Sequence, residues 1–121
     1  MPAVLRTSKI RRAFVRRSPQ FKLKISYRRI GRVDATRCLP VVALDISQSG
    51  ARLLPTASLE AGEQLLVELQ GPWFQTPRVR QATVVWSFEI SLGGHVAGLR
   101  WGELLREEEF EVLTIQPLRL E

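Results

Sequence analysis

The sequence predicts an all-β protein: a small six-stranded antiparallel β-barrel with a C-terminal α-helix. Three observations carry that expectation. Apolar and polar residues alternate with period two in a series of short runs. Gly, Pro, Ser and Asp punctuate the chain between those runs, where turns need them. The alternation stops after Trp101, where a Glu- and Leu-rich stretch free of internal Gly and Pro begins.

Taken in order, Phe21, Leu23, Ile25 and Tyr27 alternate with Lys22, Lys24, Ser26 and Arg28, as in a strand with one face in a core. After the turn residues of "RIGRVDAT", "RCLPVVALDI" makes a second strand. Pro40 within it marks a sheet edge or an irregularity near its start. "SQSG" turns the chain into a short third strand, "ARLLP", and "LEAG" leads to a fourth, "EQLLVELQ". "PRVRQATVVWSF" is the longest, with Val79, Thr83 and Val85 assigned to one face and Ala82, Val84 and Trp86 to the other. "SLGGH" turns again into "VAGLRW", the sixth strand. Residues 102–116, "GELLREEEFEVLTIQ", then read as a helix stopped by Pro117, with acids crowding the end where the helix dipole favours them. Short antiparallel strands followed by one helix argue a barrel whose interior is filled by side chains, so a ligand must use the outer surface or the rim.

A length of 121 residues fits one domain, and the single cysteine, Cys38, rules out an internal disulfide and reads as a small core residue of the second strand. No apolar run approaches the roughly 18 residues of a membrane span, so the expectation is a cytoplasmic protein without membrane insertion. The net charge of +6 is unevenly spread. Residues 1–37 hold twelve of the eighteen Lys and Arg with one acid, Asp34, a net +11; residues 38–121 hold six basic and eleven acidic side chains, a net −5. The organisation expected is a flexible basic arm over residues 1–20, a barrel with its helix over 21–116 and a tail over 117–121. The arm seeks a phosphate-bearing ligand, nucleic acid or an anionic surface, unless it folds against the acidic remainder.

Catalysis finds little support. The only histidine, His95, stands in a Gly-rich turn without a Cys or His partner near it in sequence, and no spacing suggests a metal site. Neither Gly93–Gly94 nor another glycine pair opens a phosphate loop, and Glu107–Glu109 reads as a solvated helix face. Two stretches remain. "RRAFVRR", 11–17, gathers four arginines, and Arg12 and Arg16 are spaced to share a face in a single helical turn. Their planar guanidinium forks match phosphate oxygens and the O6 and N7 acceptors of guanine. "DISQSG", 45–50, offers a carboxylate, a hydroxyl and a glycine able to take positive φ. Asp45 and Ser47 either cap this turn or accept and donate to a guanine N1–H and N2–H2 edge. Arginines for phosphate and an acid for a guanine edge describe one ligand with both.

Those two stretches resemble the motifs of the PilZ domain, RxxxR before the first strand and [D/N]xSxxG between the second and third. They stand here complete and in order as "RAFVR", 12–16, and "DISQSG", 45–50. The similarity continues through "LEAGEQLLVEL", "ATVVWS" and "VAGLRW", over roughly residues 10–115. The resemblance implies a bacterial receptor for cyclic di-GMP, without a cofactor and without catalysis, that passes its signal to a protein partner. It implies that Arg12 and Arg16 grip the phosphates and a guanine, that Asp45 and Ser47 contact a guanine, and that Gly50 permits close approach. Arg11, just before RxxxR, accompanies binding of a stacked pair of ligands rather than one. Val15 replaces the proline common in the family's spacer. Trp86 is either a base-stacking residue or a core aromatic. The competing reading is a nucleic-acid-binding barrel that uses the arm for phosphates and Tyr27 or Trp73 for stacking. The acidic remainder of the chain disfavours a wide nucleic-acid track.

Overall fold

The computed structural model describes residues 14–31 and 37–116. Arg11 and Arg12 of the basic arm, and Pro117 with the tail, lie outside the described residues. Six strands form: β1 (Lys24–Arg29), β2 (Leu39–Ile46), β3 (Gly50–Leu54), β4 (Gln64–Gln70), β5 (Arg78–Glu89) and β6 (His95–Trp101). They close into an antiparallel barrel in the order β1-β2-β3-β6-β5-β4. One helix, α1 (Glu107–Leu113), follows. Among the described residues no helix is long and apolar enough to cross a membrane.

The alternation read from sequence is what fills the barrel. Ile25 and Tyr27 of β1, Leu65, Val67 and Leu69 of β4, and Ala82 and Val84 of β5 all point inward and are buried. Leu105, Phe110 and Leu113 join the same core from the segment after β6. Burial of such side chains contributes about 25 cal/mol per Å² of apolar surface, so the interior, not the surface ion pairs, dominates stability. Arg29 with Glu63 and Arg80 with Glu109 tie outer elements together.

Several expectations change at the ends of elements. β1 starts at Lys24, because a turn closed by the Leu23 amide on the Gln20 carbonyl precedes it and leaves Phe21 85% exposed. Cys38 lies just before β2 and is exposed, so it is not a core residue. Pro40 is tolerated because pairing of β2 with β3 begins only at Val42. His95 is the first residue of β6 rather than part of the turn.

The predicted helix over 102–116 is reduced to seven residues. Before it, the amides of Gly102 and Leu105 bond the carbonyls of Gln81 and Gln48, so this stretch serves the barrel and cannot coil. After it, Thr114 is extended, and the Ile115 amide donates to the Ser18 carbonyl. Tertiary backbone pairing, not Pro117, ends the helix. The acids Glu107, Glu108 and Glu109 do stand in its first turn, as the dipole favours.

Tyr27 is the chain's only tyrosine and is 1% exposed inside the barrel, where its hydroxyl has no hydrogen-bond partner. Desolvation raises its pKa above the ordinary 10.0, with Arg29 opposing and Glu63 adding to the rise. The folded state therefore holds the phenol proton more tightly than the unfolded chain. The stability from this difference is present below about pH 10 and is lost as pH rises through the folded value. Alkaline unfolding followed with the tyrosinate absorption band should show ionisation only as the protein unfolds. Tyr27→Phe should weaken the alkaline loss and leave neutral-pH melting unchanged or raised, since the hydroxyl it removes is unpaired. Free titration of the tyrosine in the folded protein would contradict this placement.

Candidate functional site

Two β-bulges decide which side chains face outward near "DISQSG". On β2 the register with β3 shifts between Ala43 and Asp45, leaving Leu44 as the extra residue. Strict alternation would turn Asp45 inward with Ala43. The shift turns Asp45 outward opposite Arg52 and sends Ile46, fully buried, inward opposite Ala51. On β5 the register with β6 shifts between Val84 and Trp86, leaving Val85 as the extra residue. This corrects the face assignment from alternation: Ala82 and Val84 point into the core, but Trp86 does not share their face.

The two shifts are in phase. Asp45 pairs with Arg52, Arg52 with Gly98, and Gly98 with Trp86, so these residues form one row across β2, β3, β6 and β5 on the outside of the barrel. Beneath it the row Ile46, Ala51, Leu99 and Val84 is core. Gly98 is what lets the indole lie over the strand, because a Cβ there would overlap Cε2, Nε1 and Cζ2 of Trp86. Trp86 also stacks on Phe88 with ring centroids 5.4 Å apart and planes 29° from parallel. Carboxylate, guanidinium and indole thus follow one another at strand spacing.

The carboxylate is gripped from two sides. Arg16 Nη1 donates to Asp45 Oδ1 at 3.1 Å. Arg52 donates through Nε to Oδ2 at 2.8 Å and through Nη2 to the same oxygen. These bonds, and then the carboxylate's charge, raise the Arg52 pKa. Arg16 reaches Asp45 because the next residue docks: Arg17 and Ile46 exchange two backbone hydrogen bonds of 2.9 Å. Arg17 also lays its guanidinium 4.9 Å from the Phe110 ring centroid and pairs with Glu111, a pinning role that the sequence left unassigned. Beyond it, Pro19 bridges Thr114 and the Gln20 amide bonds the Leu113 carbonyl. Residues 15–20 contain two isolated bridges and no helical turn that would present Arg16.

Ser47 builds the turn. Its Oγ accepts from the amides of Gly50 at 3.1 Å and Ser49 at 3.3 Å, and shares a hydrogen with Ser49 Oγ at 3.1 Å. The loop is anchored from the far side. Trp101 donates its indole N–H to the Ser47 carbonyl at 3.1 Å, and Gln48 and Leu105 exchange bonds through the Gln48 side chain and backbone. Gly50 is needed for a reason other than positive φ, which it does not adopt. A Cβ there would overlap the Leu99 carbonyl oxygen, so the glycine lets β3 and β6 close.

Among the predicted residues, the structure brings together Arg16, Asp45, Ser47 and Gly50, with Trp86 on the same outer row, while Arg11 and Arg12 fall outside the described residues. Sequence reading missed Arg52 and Gly98. The signal was present in "GARLL" and "VAGLRW", where an arginine and a glycine hold outward positions, but only strand order makes them neighbours. Concavities of about 580 Å³ beside Phe74, Arg78 and Arg106 and about 670 Å³ along Trp73–Val79 contain none of these residues. Tyr27, buried in the barrel, is closed to base stacking.

No curated protein sequence matches the chain. Among solved structures it is similar to that of the Bacillus subtilis inhibitor of motility, MotI/DgrA, with a TM-score of 0.57 and 17% identity. The match covers 83% of this chain and 46% of that one, so the chain spans under half the length of that protein, and the likeness is one of fold. The family model of the PilZ domain matches residues 10–115, which takes in both motifs and every strand of the barrel. The chain belongs to the PilZ domain family.

Proposed function

We propose that the chain is a cyclic di-GMP receptor that acts by binding rather than catalysis and passes the signal to a protein partner. Its family is one of cyclic di-GMP receptor domains. The observation that carries the proposal for this chain is the Arg16–Asp45 contact, which joins the RxxxR segment to the "DISQSG" loop at the head of a row ending on Trp86.

The chemistry follows from how weakly that contact is held. The Arg16 side chain is 51% exposed over an Asp45 carboxylate that is 11% exposed, and it gives that carboxylate one hydrogen bond against two from Arg52. A doubly charged ligand offers more, since each phosphate can take a bidentate guanidinium. Arg16, with Arg11 and Arg12 from outside the described residues, moves to the phosphates. Asp45 is then released to accept from a guanine N1–H and N2–H2 edge. Ser47, 1% exposed with its hydroxyl bonded inside the turn, and Gly50, whose missing Cβ makes room for the Leu99 carbonyl, hold the shape of the loop that presents Asp45. Trp86 stacks on a base. Binding thereby gathers the basic arm onto the outer face of the barrel, and a downstream protein reads the reorganised arm. Arg11 favours a stacked pair of ligands, whose four negative charges answer the concentration of arginines. A nucleic-acid reading has lost one of its two stacking residues, Tyr27, to the core.

Two measurements test this. Calorimetry at near-physiological salt should find binding of cyclic di-GMP by the wild-type protein. Arg16→Ala and Asp45→Ala should each weaken it roughly ten- to a hundredfold, about 1–3 kcal/mol, with the melting temperature little changed for half-exposed Arg16 and lowered for buried Asp45. Absence of binding by the wild type would end the proposal. A rise in affinity for single-stranded nucleic acid on removing Asp45 would favour the competing function. Ligand titration should also quench tryptophan fluorescence, with a break at two equivalents per chain for a stacked pair. Trp86→Phe should remove the quench; its persistence would place the ligand away from this row, and a break at one equivalent would strip Arg11 of its assigned part.

A further inference from the structure

The two arginines leave part of the Asp45 carboxylate's acceptor capacity unused. An ionised carboxylate offers about four lone-pair positions over two oxygens. Arg52 directs both Nε–H and Nη2–H to Oδ2, and Arg16 directs one N–H to Oδ1. Oδ2 is therefore filled by a residue of the adjacent strand, while Oδ1 is shared with a residue of the N-terminal segment. Cross-strand pairing of Asp45 and Arg52 holds the Arg52 contact through the β2–β3 ladder, whereas Arg16 precedes the point where its segment docks.

We propose that Arg52 is a specificity-determining residue, a positioning residue that fixes Oδ2 of Asp45 so that Oδ1 faces the base when Arg16 leaves. The inference rests on the cyclic di-GMP reading above and adds to it a residue outside both motifs. With Oδ2 held, Oδ1 is left to accept from the guanine N1–H once Arg16 leaves it. Adenine presents an acceptor, N1, at that place and is rejected, because a carboxylate pinned by Arg52 cannot turn away from the clash of lone pairs. A free carboxylate could rotate and lose that discrimination. Arg52 also stands beside Gly98, whose bare backbone carries the Trp86 indole, so the carboxylate is fixed at a set distance from the stacking surface.

The test measures affinities of wild type, Arg52→Ala and Arg52→Lys for cyclic di-GMP and for cyclic di-AMP, with melting temperatures alongside. Wild-type binding of cyclic di-GMP is read first. If it is absent, the receptor function fails and this inference falls with it. Where the wild type binds, Arg52→Ala should lose roughly tenfold or more for cyclic di-GMP while leaving cyclic di-AMP unchanged or improved, so the ratio collapses. Arg52→Lys should recover part of the ratio, and in an Asp45→Ala background Arg52→Ala should have no further effect. An unchanged ratio in Arg52→Ala would overturn the inference and leave the receptor standing. So would an equal loss for both nucleotides with a shallower salt dependence, which would make Arg52 a phosphate contact.

Discussion

The geometry of the outer face rests on two extra residues, Leu44 and Val85, each inserted in one strand of an antiparallel pair. A strand's side chains alternate with period two, so one added residue exchanges inside for outside over everything that follows. Both insertions fall beside the β3–β6 pair, and both side chains are exposed. Their shared phase turns Asp45 and Trp86 out together while Ile46 and Val84 stay in the core. Straightening either bulge with its extra residue retained would turn the carboxylate or the indole onto the inward face that Ala43 and Val84 occupy. The site is therefore a property of register before it is a property of any single residue.

Around that row the barrel supplies rigidity on one side and exchangeable contacts on the other. The "DISQSG" loop is tied to Trp101, Leu105 and Gly50, all bonds within or directly onto the closed sheet. The opposing segment is held by Arg17, Ser18 and Gln20, through backbone bonds to Ile46, Ile115 and Leu113. These pairings also explain why α1 is short, since the chain leaving it is needed as a partner for the N-terminal segment. Arg16 stands at the boundary between the docked residues and the arm, with a half-exposed side chain and one hydrogen bond. Its position suits a group that must leave one anion for another.

Much of this was legible in the sequence, for identifiable reasons. Six strands followed from period-two alternation, which depends only on neighbouring residues. Asp45, Ser47 and Gly50 stood out because turn chemistry restricts what a short loop contains. The face of Trp86 was misread, since a bulge leaves no local trace in "ATVVWS" beyond an uninterrupted apolar run. The helix was overextended because propensity knows nothing of the amides of Gly102 and Leu105 being claimed by Gln81 and Gln48. Arg52 and Gly98 were invisible as site residues for a related reason. They sit 46 positions apart in sequence and become neighbours only because β3 pairs with β6 in the closed order. Cys38 was assigned to the core by residue type, yet it lies one residue short of the ladder.

The proposed function places ligand recognition on the outer row running from Asp45 to Trp86. Amide and indole chemical-shift mapping during titration with cyclic di-GMP tests it most directly. The largest changes should fall at the amides of Asp45, Arg52 and Gly98 and at the Trp86 indole N–H, with the buried Trp101 indole less affected. Changes concentrated instead around Phe74, Arg78 and Arg106, with the row silent, would contradict it.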